Sequence, residues 1–157
     1  MGAKQPKPYN DKQVRRGNAV IKRMSRWNTA LYQRTNGRLG GKFLRGAPVC
    51  LLTTTGRKSG EPRTSPLLYL HDGDDILLVA SKGGFPGNPQ WYLNLIANPK
   101  ATIQIRSTVH HVIAEEVPAE EKDELWPKLT AMYKDFETYR ARTDRDIPIL
   151  RCRPAQP

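Results

Sequence analysis

Two predicted strands and the loop between them lie within residues 49–70, which read VCLLTTTGRKSGEPRTSPLLYL. The apolar run at 49–52 leads into three threonines, and a second apolar run begins at Leu67. Two β-rich runs joined by a short polar segment that contains glycine predict a hairpin. Within that segment, two glycines bracket Arg57-Lys58-Ser59, and Arg63 adds a third cation.

The loop from Thr53 to Arg63 has the composition of a binding site for an extended anion, such as a phosphodiester or a string of carboxylates. Gly56 and Gly60 allow positive φ values and a close approach of the backbone to a ligand. Threonine hydroxyls, backbone N–H groups and three cations can then face one small volume. The loop lacks the Gly-x-x-x-x-Gly-Lys-Ser/Thr spacing of a P-loop, and the alternative to a binding site is a solvated turn.

Charge is unevenly distributed along the 157 residues, whose formal net charge is +11. Residues 1–48 contain 12 lysines and arginines and one acidic residue, whereas the rest of the chain is neutral overall. A basic arm of this kind favours an anionic surface, either acidic lipid or nucleic acid, or the acidic tail of a ligand. Nucleic acid is not the expected partner, because a nucleic-acid reader carries its cations on the folded surface.

The cysteines and the hydropathy pattern predict a reduced, cytoplasmic protein. Cys50 lies in an apolar run and is expected to be a small buried hydrophobe. Residues 1–20 lack the apolar stretch of a signal peptide, and no segment approaches the roughly 20 apolar residues of a membrane span. No zinc spacing and no Ser-His-Asp pattern is present, so no metal is expected and an enzyme of this sequence would depend on an organic cofactor.

The periodicity predicts an α+β domain built around a small barrel. Residues 1–10 are predicted to form a disordered tail, residues 11–45 a basic amphipathic helix with its linker, and residues 46–157 the barrel. The apolar residues of the helix at helical spacing are Val20, Met24, Trp27 and Leu31. This stripe could pack on the sheet, cover a groove or lie on a membrane.

Five or six strands and two further helices are predicted after the basic helix. The strand candidates are 49–55, 64–71, 76–80, 101–107, 109–117 and 147–150. One helix is opened by Asn88-Pro89 and runs to Ala97, and the other runs from about Ala119 to Arg142.

Two more segments have functional and structural interpretations. Ser81-Lys82-Gly83-Gly84 follows a predicted strand, and it would share a cleft with the first loop if the two strands are neighbours. Trp91 and Asn94 lie one helical turn apart and suit a flat heterocycle, although a tryptophan of the core is the commoner explanation. An aromatic stripe on the last helix, more often a core feature, consists of Tyr133, Phe136 and Tyr139.

Several motifs in the same order resemble the deazaflavin-dependent nitroreductase family of actinobacteria. They are Leu51 to Gly60, Arg63-x-x-Pro66-Leu67, Ser81-Lys82-Gly83-Gly84, Asn88-Pro89-x-Trp91-Tyr92-Leu93-Asn94-Leu95-x-Ala97-Asn98-Pro99 and Thr143-Asp144-Arg145-x-Ile147-Pro148. The resemblance runs from about Ile21 to Cys152 and implies a split β-barrel related to flavin-binding oxidases. It also implies coenzyme F420, a 5-deazaflavin whose phospholactyl-oligoglutamate tail is an extended anion.

The resemblance implies roles for individual residues. Those expected to hold the phosphate and glutamates of the tail are Arg57, Lys58, Arg63 and Lys82. Those expected to line the deazaflavin are Ser59, Ser65, Pro66, Leu68, Ala80, Ser81, Gly83, Trp91 and Asn94. Those expected on the acceptor side are Tyr133, Phe136 and Tyr139, with Tyr133 and Ser81 as the catalytic residues.

The activity implied is a reductase that passes a hydride from reduced F420 to a quinone, an activated enone or a nitroaromatic. Phe136 and Leu68 stand where nitroreductases of the family can carry other aromatic residues, which favours quinone or enone reduction here. A lipid quinone as acceptor would suit peripheral contact with acidic membrane at the inner face of the cell membrane. The alternatives are a non-catalytic binder of acidic membrane or nucleic acid, and an FMN- or haem-binding relative on the same barrel.

Overall fold

The chain forms one curled, seven-stranded antiparallel sheet and four helices in a computed structural model that describes residues 6–43 and 46–156. The helices are α1 (Asp11–Thr35), α2 (Gln90–Ala97), α3 (Ala119–Met132) and α4 (Asp135–Ala141). The strands are β1 (Val49–Thr55), β2 (Pro62–Leu68), β3 (Leu70–Asp72), β4 (Asp75–Val79), β5 (Lys100–Ile105), β6 (Thr108–Glu116) and β7 (Ile149–Pro154). The strand order is β2-β1-β5-β6-β7-β4-β3. The predicted α+β split barrel is confirmed, with seven strands rather than five or six.

A bend at Tyr69 brings the two edges of the sheet together. β2 pairs with β1 at one edge, whereas β3, which follows after a single residue, pairs with β4 at the other. At the bend, the backbone N–H of Tyr69 donates to the carbonyl of Pro48 at 3.3 Å. The single strand predicted over 64–71 is therefore two strands, because the chain changes its pairing partner at the bend.

Both faces of the central strands are buried, and two cores result. In β4, Ile76 and Leu78 join a cluster with residues of β1, β5, β6 and α2, whereas Leu77 joins a second cluster with α3 and α4. β7 alternates in the same way through Leu150 and Ile149. Successive side chains of a strand point to opposite faces, so one continuous apolar run supplies both cores.

Both cysteines lie in the first of these clusters as free thiols. Burial raises the pKa of the Cys50 thiol above its ordinary value, and it raises the pKa of Cys152 to about 12. The expectation that Cys50 is a small buried hydrophobe is confirmed.

One buried arginine ties the far end of the barrel together. Arg151 on β7 is 8% exposed and donates to Asp72 at 2.8 Å, to Asp75 at 3.1 Å and to Glu121. Asp72 and Asp75 flank the β3–β4 turn, whereas Glu121 lies in the first turn of α3. The cluster therefore joins a hairpin, a strand and a helix through one guanidinium.

The last predicted helix is broken in the structure. α3 ends at Met132, and Tyr133 adopts an extended conformation (φ −144°, ψ 102°) before α4 begins at Asp135. The break sends Tyr133, which is 2% exposed, into the second core beside Phe136. Helical spacing continues across the break in the sequence, so only tertiary packing reveals it.

Several boundaries also differ from the prediction, among them those of α2 and of the last strand. Pro89 is the N-cap of α2 and Gln90 its first residue, one position later than predicted. The last strand begins at Ile149 and continues to Pro154, whereas the prediction placed it at 147–150. Boundaries depend on cap geometry and strand pairing more than on composition.

α1 lies within the predicted range 11–45, and both of its ends are capped. The side chain of Asn10 accepts from the backbone N–H of Gln13, and the Gln13 side chain accepts from that of Asn10, both at 2.9 Å. This reciprocal pair is a capping box. Asn36 ends the helix in the left-handed region (φ 50°), which suits asparagine.

The apolar stripe of α1 does not pack on the sheet. Exposed fractions are 55% for Val20, 63% for Met24, 77% for Trp27 and 40% for Leu31. The helix is instead held by Tyr32, whose hydroxyl accepts from the backbone N–H of Arg106 at 2.8 Å. Packing of the stripe on the sheet, one of the three alternatives, is therefore wrong. No helix in the described ranges is long and apolar enough to cross a bilayer.

The segment just before α1 is fastened to the barrel domain. The ring of Tyr9 stacks on Phe85 with centroids 4.2 Å apart, and its hydroxyl accepts from Arg142. Gly17 lies against the other side of this contact, since a Cβ at position 17 would come within 2.4 Å of the Phe85 ring. Tyr9 therefore makes contacts within the stretch predicted to be a disordered tail, and residues 1–5 of that stretch lie outside the described residues.

Candidate functional site

The first loop is a tight turn closed by two backbone hydrogen bonds. Gly56 donates its N–H to the carbonyl of Glu61, and Gly60 donates to the carbonyl of Gly56, both at 2.8 Å. Gly60 has the positive φ (72°) that the sequence suggests. Gly56 does not, but a Cβ there would lie 2.7 Å from the Ser59 hydroxyl, so the position needs glycine for space.

Two of the three threonine hydroxyls bond within the protein. Thr53 pairs with Thr64 across β1 and β2 at 2.9 Å, and Thr54, which is buried, accepts from the side chain of Asn94 at 3.1 Å. Only the backbone and the cations of the turn, together with Thr55, are left to face a ligand. The prediction that all three hydroxyls face one anion is therefore wrong for Thr53 and Thr54. Successive side chains of β1 point to opposite faces, so Thr53 bonds to β2 and Thr54 bonds to α2.

Arg57 links the first loop to α2. Its guanidinium donates to the side-chain oxygen of Asn94 at 3.0 Å and to that of Gln90 at 2.8 Å, and its backbone N–H also donates to the side-chain oxygen of Asn94 at 3.2 Å. Asn94 is 4% exposed and uses its amide group toward Thr54, so the two side chains hold each other in place. Arg57 and Asn94 are therefore in direct contact, and they join the turn to the helix.

The second loop carries three consecutive residues with positive φ. The values are 48° at Lys82, 61° at Gly83 and 79° at Gly84, within a short 3₁₀ turn that follows Ser81. Such values are ordinary for glycine and costly for lysine. The loop is held by Arg145, which donates to three backbone carbonyls and one amide side chain around it.

The two loops follow strands that are not neighbours in the sheet. β1 pairs with β2 and β5, whereas β4 pairs with β3 and β7, so the predicted adjacency is wrong. α2 joins the loops instead: Arg57 bonds to its Gln90 and Asn94, and Arg145 bonds to Asn88 just before it. The helix α2 and the residue before it therefore connect the two loops, although the strands that precede the loops are not neighbours in the sheet.

The predicted tail-binding cations differ in how free they are. Lys58 is exposed, and Arg63 is exposed with a single ion pair to Glu61 at 3.5 Å. Lys82 folds over its own loop and donates to the carbonyl of Pro86 at 3.4 Å. Surface ion pairs are weak, so these three side chains can exchange their contacts for an anionic ligand at small cost.

The predicted ring-lining residues occupy β2, the end of β4 and α2. Ser65, Pro66 and Leu68 are half-buried on β2, and Ser59 lies exposed in the turn before it. Ala80 and Ser81 are buried at the end of β4. Trp91, 7% exposed, packs in the first core cluster, so its core interpretation is supported by this structure.

The acceptor-side aromatics lie beside the second loop. The hydroxyls of Tyr133 and Tyr139 are 3.0 Å apart, and Phe136 packs edge-on against the Tyr133 ring at 5.1 Å. α4 touches the loop directly, since a Cβ at Gly84 would lie 2.9 Å from the Tyr139 carbonyl oxygen. Burial raises the pKa of the Tyr133 phenol, with a further rise from its bond to Tyr139, so Tyr133 stays protonated.

Arg145 is the residue that sequence reasoning missed as part of the site. It belongs to a motif of the resemblance, but it lies more than 50 residues from the loop that it holds, and nothing local marks that contact. Phe85 was missed for the same reason, since its partners Tyr9 and Gly17 come from the opposite end of the chain. In the described part of the chain, no group of three or more His, Cys, Asp or Glu side chains could hold a metal ion.

Comparison with known proteins gives one consistent family. The family model for F420H2-dependent quinone reductases matches residues 24–154. An F420H2-dependent quinone reductase of Mycobacterium tuberculosis (strain H37Rv) is 41% identical over 128 residues, which cover 80% of this chain and 86% of that protein.

Two solved structures are similar in both sequence and fold. An F420H2-dependent reductase is 38% identical with a TM-score of 0.62, over 67% of this chain and 93% of that chain. A domain-swapped dimer is 34% identical with a TM-score of 0.64, over 80% of this chain and 96% of that chain.

Proposed function

The chain belongs to the family of F420H2-dependent quinone reductases, and we propose that it transfers a hydride from reduced coenzyme F420 to a quinone-type acceptor. The single observation that carries the proposal is the pair of cation-bearing loops that Arg57 and Arg145 fasten to α2. A cofactor with an anionic tail and a flat ring fits this arrangement, because exposed cations lie beside a half-buried strand and a helix.

The residues proposed to hold the tail are Lys58, Arg63 and Lys82, with Arg57 positioning the first loop. Lys58 lies within a turn closed at both ends by Gly56 and Gly60, and Arg63 lies on β2 just after it, so both are presented on a rigid support. A phosphate with several carboxylates prefers such a group of cations, because charge-assisted hydrogen bonds are about twice as strong as neutral ones.

The ring is proposed to lie over β2 and the end of β4, with Ser59 at its edge. Trp91 and Asn94 are proposed to support it from α2. The residues proposed to contact its face are Ser65, Pro66, Leu68, Ala80, Ser81 and Gly83. Bound F420H2 would supply a hydride from C5, and the acceptor would gain those two electrons together with protons. The protein holds donor and acceptor together, which lowers the entropic part of the barrier.

On the acceptor side, we propose that Tyr133 and Tyr139 act as a pair. Reduction of a quinone or enone places negative charge on oxygen, and a phenol can donate a hydrogen bond to it. Tyr133 is buried and stays protonated, while the half-buried Tyr139 shares its hydrogen bond and touches the second loop through Gly84. Ser81, buried where that loop begins, is the second catalytic residue proposed.

A finer proposal concerns where the protein works: α1 binds the acidic surface of a membrane in which a lipid quinone is dissolved. The stripe of Val20, Met24, Trp27 and Leu31 is exposed, and cations border it at helical spacing. Arg23 lies three residues after Val20 and four before Trp27, and Arg34 lies three after Leu31. An apolar stripe beside a row of cations is typical of helices that lie in an anionic lipid interface.

Mixing reduced F420 with menadione tests the proposed activity. The purified protein should speed the anaerobic oxidation of F420H2 in proportion to its concentration, and it should not use reduced FMN or NADH. A protein that binds F420 but leaves the oxidation rate at its uncatalysed value would be a cofactor carrier. A protein that retains FMN or haem instead of F420 would belong functionally to another branch of the fold.

A further inference from the structure

Arg145 makes an unusual set of hydrogen bonds. One terminal nitrogen donates to the carbonyl of Ala80 and to the side-chain oxygen of Asn88, both at 3.0 Å. The other donates to the carbonyl of Ser81 at 2.7 Å and to that of Phe85 at 3.3 Å. All four acceptors are neutral, and they surround the second loop from its first residue to its last.

The charge of Arg145 has no counter-ion in the part of the chain that the structure describes. No carboxylate in residues 6–43 or 46–156 lies within ion-pair distance, and the adjacent Asp146 bonds to Lys122 at 2.8 Å instead. Its Nε atom is buried and has no partner there. Burial lowers the pKa of the guanidinium, which nevertheless remains charged at any physiological pH.

Arg151 provides the contrast within the same segment of chain. Arg151 is 8% exposed and bonds to three carboxylates, whereas Arg145 is half-buried and bonds to no carboxylate among the described residues. Isolated buried charges are costly and usually acquire a partner of opposite sign. Arg145 is half-buried, with a buried Nε atom and no carboxylate of the described residues at ion-pair distance, so its charge is left for an external anion to complete.

The loop that Arg145 surrounds needs such support. Lys82 has a φ of 48°, in the left-handed region that is unfavourable for a non-glycine residue unless its surroundings impose it. Arg145 bonds to backbone carbonyls on both sides of Lys82, so it imposes that conformation.

We propose that Arg145 is a positioning residue for the anionic tail of the cofactor, acting through the Ser81–Phe85 loop; this inference rests on the proposed function. The planar guanidinium of Arg145 holds the loop in the conformation that presents Lys82. Its positive charge, which has no carboxylate partner among the described residues, favours binding of a phosphate at the loop. The phosphate-bearing tail, rather than the deazaflavin ring, is the part of the cofactor that depends on Arg145.

Two ligands and three variants test the inference. The dissociation constants of F420 and of its deazaflavin chromophore without the phosphate tail are measured by fluorescence for the wild type, Arg145→Lys, Arg145→Met and Arg151→Met. Arg145→Met should weaken F420 binding about 10- to 100-fold and leave binding of the tail-less chromophore within about threefold. Arg145→Lys, which retains the charge and loses the fork, should fall between wild type and Arg145→Met.

Arg151→Met is the matched control, since it removes a buried guanidinium whose charge is already neutralised. It should lower the melting temperature and leave the ratio of the two dissociation constants unchanged. An equal loss of affinity for both ligands in Arg145→Met, or no loss for either, would overturn the inference. If the wild type does not bind F420, the proposed function fails and the inference fails with it.

A measurement on the wild type covers the case in which Arg145→Met does not fold. Amide hydrogen exchange of residues 81–85 should slow at least several-fold when F420 binds, and should change little with saturating tail-less chromophore. Equal protection by the two ligands would contradict a role for this loop in holding the tail.

Discussion

Individual side chains of the candidate site are engaged in two ways. Arg57, Asn94 and Arg145 spend their hydrogen bonds within the protein and hold the loops. Lys58 and Arg63 extend from the turn with little to restrain them. The first group supports the site, and the second is free to contact an anionic ligand, so substitutions in the two groups should differ in their effect on stability.

The free cations of the turn should control affinity for F420. Lys58→Ala and Arg63→Ala should each weaken binding by on the order of 1–3 kcal/mol, the cost of losing a charge-assisted hydrogen bond. Their melting temperatures should stay at the wild-type value, and affinity should fall as salt rises. Titration of F420 into each variant measures this.

A matched control for these two variants is Arg106→Gln, which removes an exposed cation from the β5–β6 turn at the other end of β5. It should leave F420 affinity unchanged. Equal binding of F420 with and without its glutamates by the wild type would contradict the electrostatic assignment of Lys58 and Arg63.

The paired tyrosines should affect turnover more than cofactor binding. Tyr133→Phe removes a hydroxyl from a 2% exposed ring without changing its shape, so F420 affinity should hold while the oxidation rate falls. We expect a loss of about 10- to 100-fold, the lower part of the range for one lost donor to a developing oxyanion. Stopped-flow oxidation of F420H2 by menadione measures it.

Tyr139→Phe separates the two members of the pair, because it leaves Tyr133 without its hydrogen-bond partner. If Tyr139 contacts the acceptor and Tyr133 supports it, both variants should slow the reaction. A Tyr133→Phe variant with a lower melting temperature and an unchanged oxidation rate would return Tyr133 to a role in the core alone.

At the scale of elements, α1 has an apolar surface that its contacts with the rest of the protein leave exposed. Its caps and the Tyr32 anchor account for its position, and Gly17 accounts for its close approach to Phe85. None of these contacts uses the apolar stripe. An exposed apolar stripe lowers solubility unless a partner covers it, and the neighbouring cations favour a partner with an anionic surface.

Binding of α1 to acidic membrane should therefore require both apolar and basic residues. Trp27→Ser should lower recovery of the protein on vesicles that contain phosphatidylglycerol by several-fold. Arg23→Gln should lower the same recovery by up to about fivefold. Lys22→Gln, the matched control, removes a charge from the face opposite the stripe and should have a smaller effect. Sedimentation with anionic and neutral vesicles measures all three.

Equal recovery on neutral and anionic vesicles would contradict the membrane proposal. A second copy of the chain is another possible cover for the stripe. In that case light scattering would show a dimer that Trp27→Ser dissociates, with no vesicle binding by the wild type.

At the scale of the whole molecule, one buried arginine joins three separate elements. Arg151 lowers the pKa of the Asp72 carboxyl, chiefly through their hydrogen bond, below its ordinary value. A carboxyl whose pKa is lower in the folded state contributes stability above its unfolded pKa of about 4, and loses it as pH falls through the folded value.

The free energy of unfolding should therefore decline as pH drops below about 4. Asp72→Asn should cost about 1–2 kcal/mol at pH 7, and the difference from wild type should shrink toward pH 3. Asp74→Asn, an exposed neighbour in the same turn, is the control and should change little. Urea unfolding at several pH values measures this, and a difference that grows toward pH 3 would contradict the role given to Asp72.

The sequence by itself determined the local features whose causes are local. The caps of α1 follow from Asn10 and Asn36, and the first loop follows from its glycines and from the strands on either side. The alternation of buried residues in β4 and β7 follows from their apolar runs. The motifs also predict that Arg57, Lys58, Arg63, Lys82 and Asn94 belong to one site, and the binding measurements above test that prediction.

Only the tertiary structure decided which distant residues meet. The break before Tyr133 and the bend at Tyr69 arise because burial and a change of pairing partner outweigh local preference. The two loops meet through α2 and not through neighbouring strands. Arg145 reaches a loop some 60 residues away, and α1 turns its apolar stripe outward, because such contacts depend on the path of the whole chain and leave no periodic signal in the sequence.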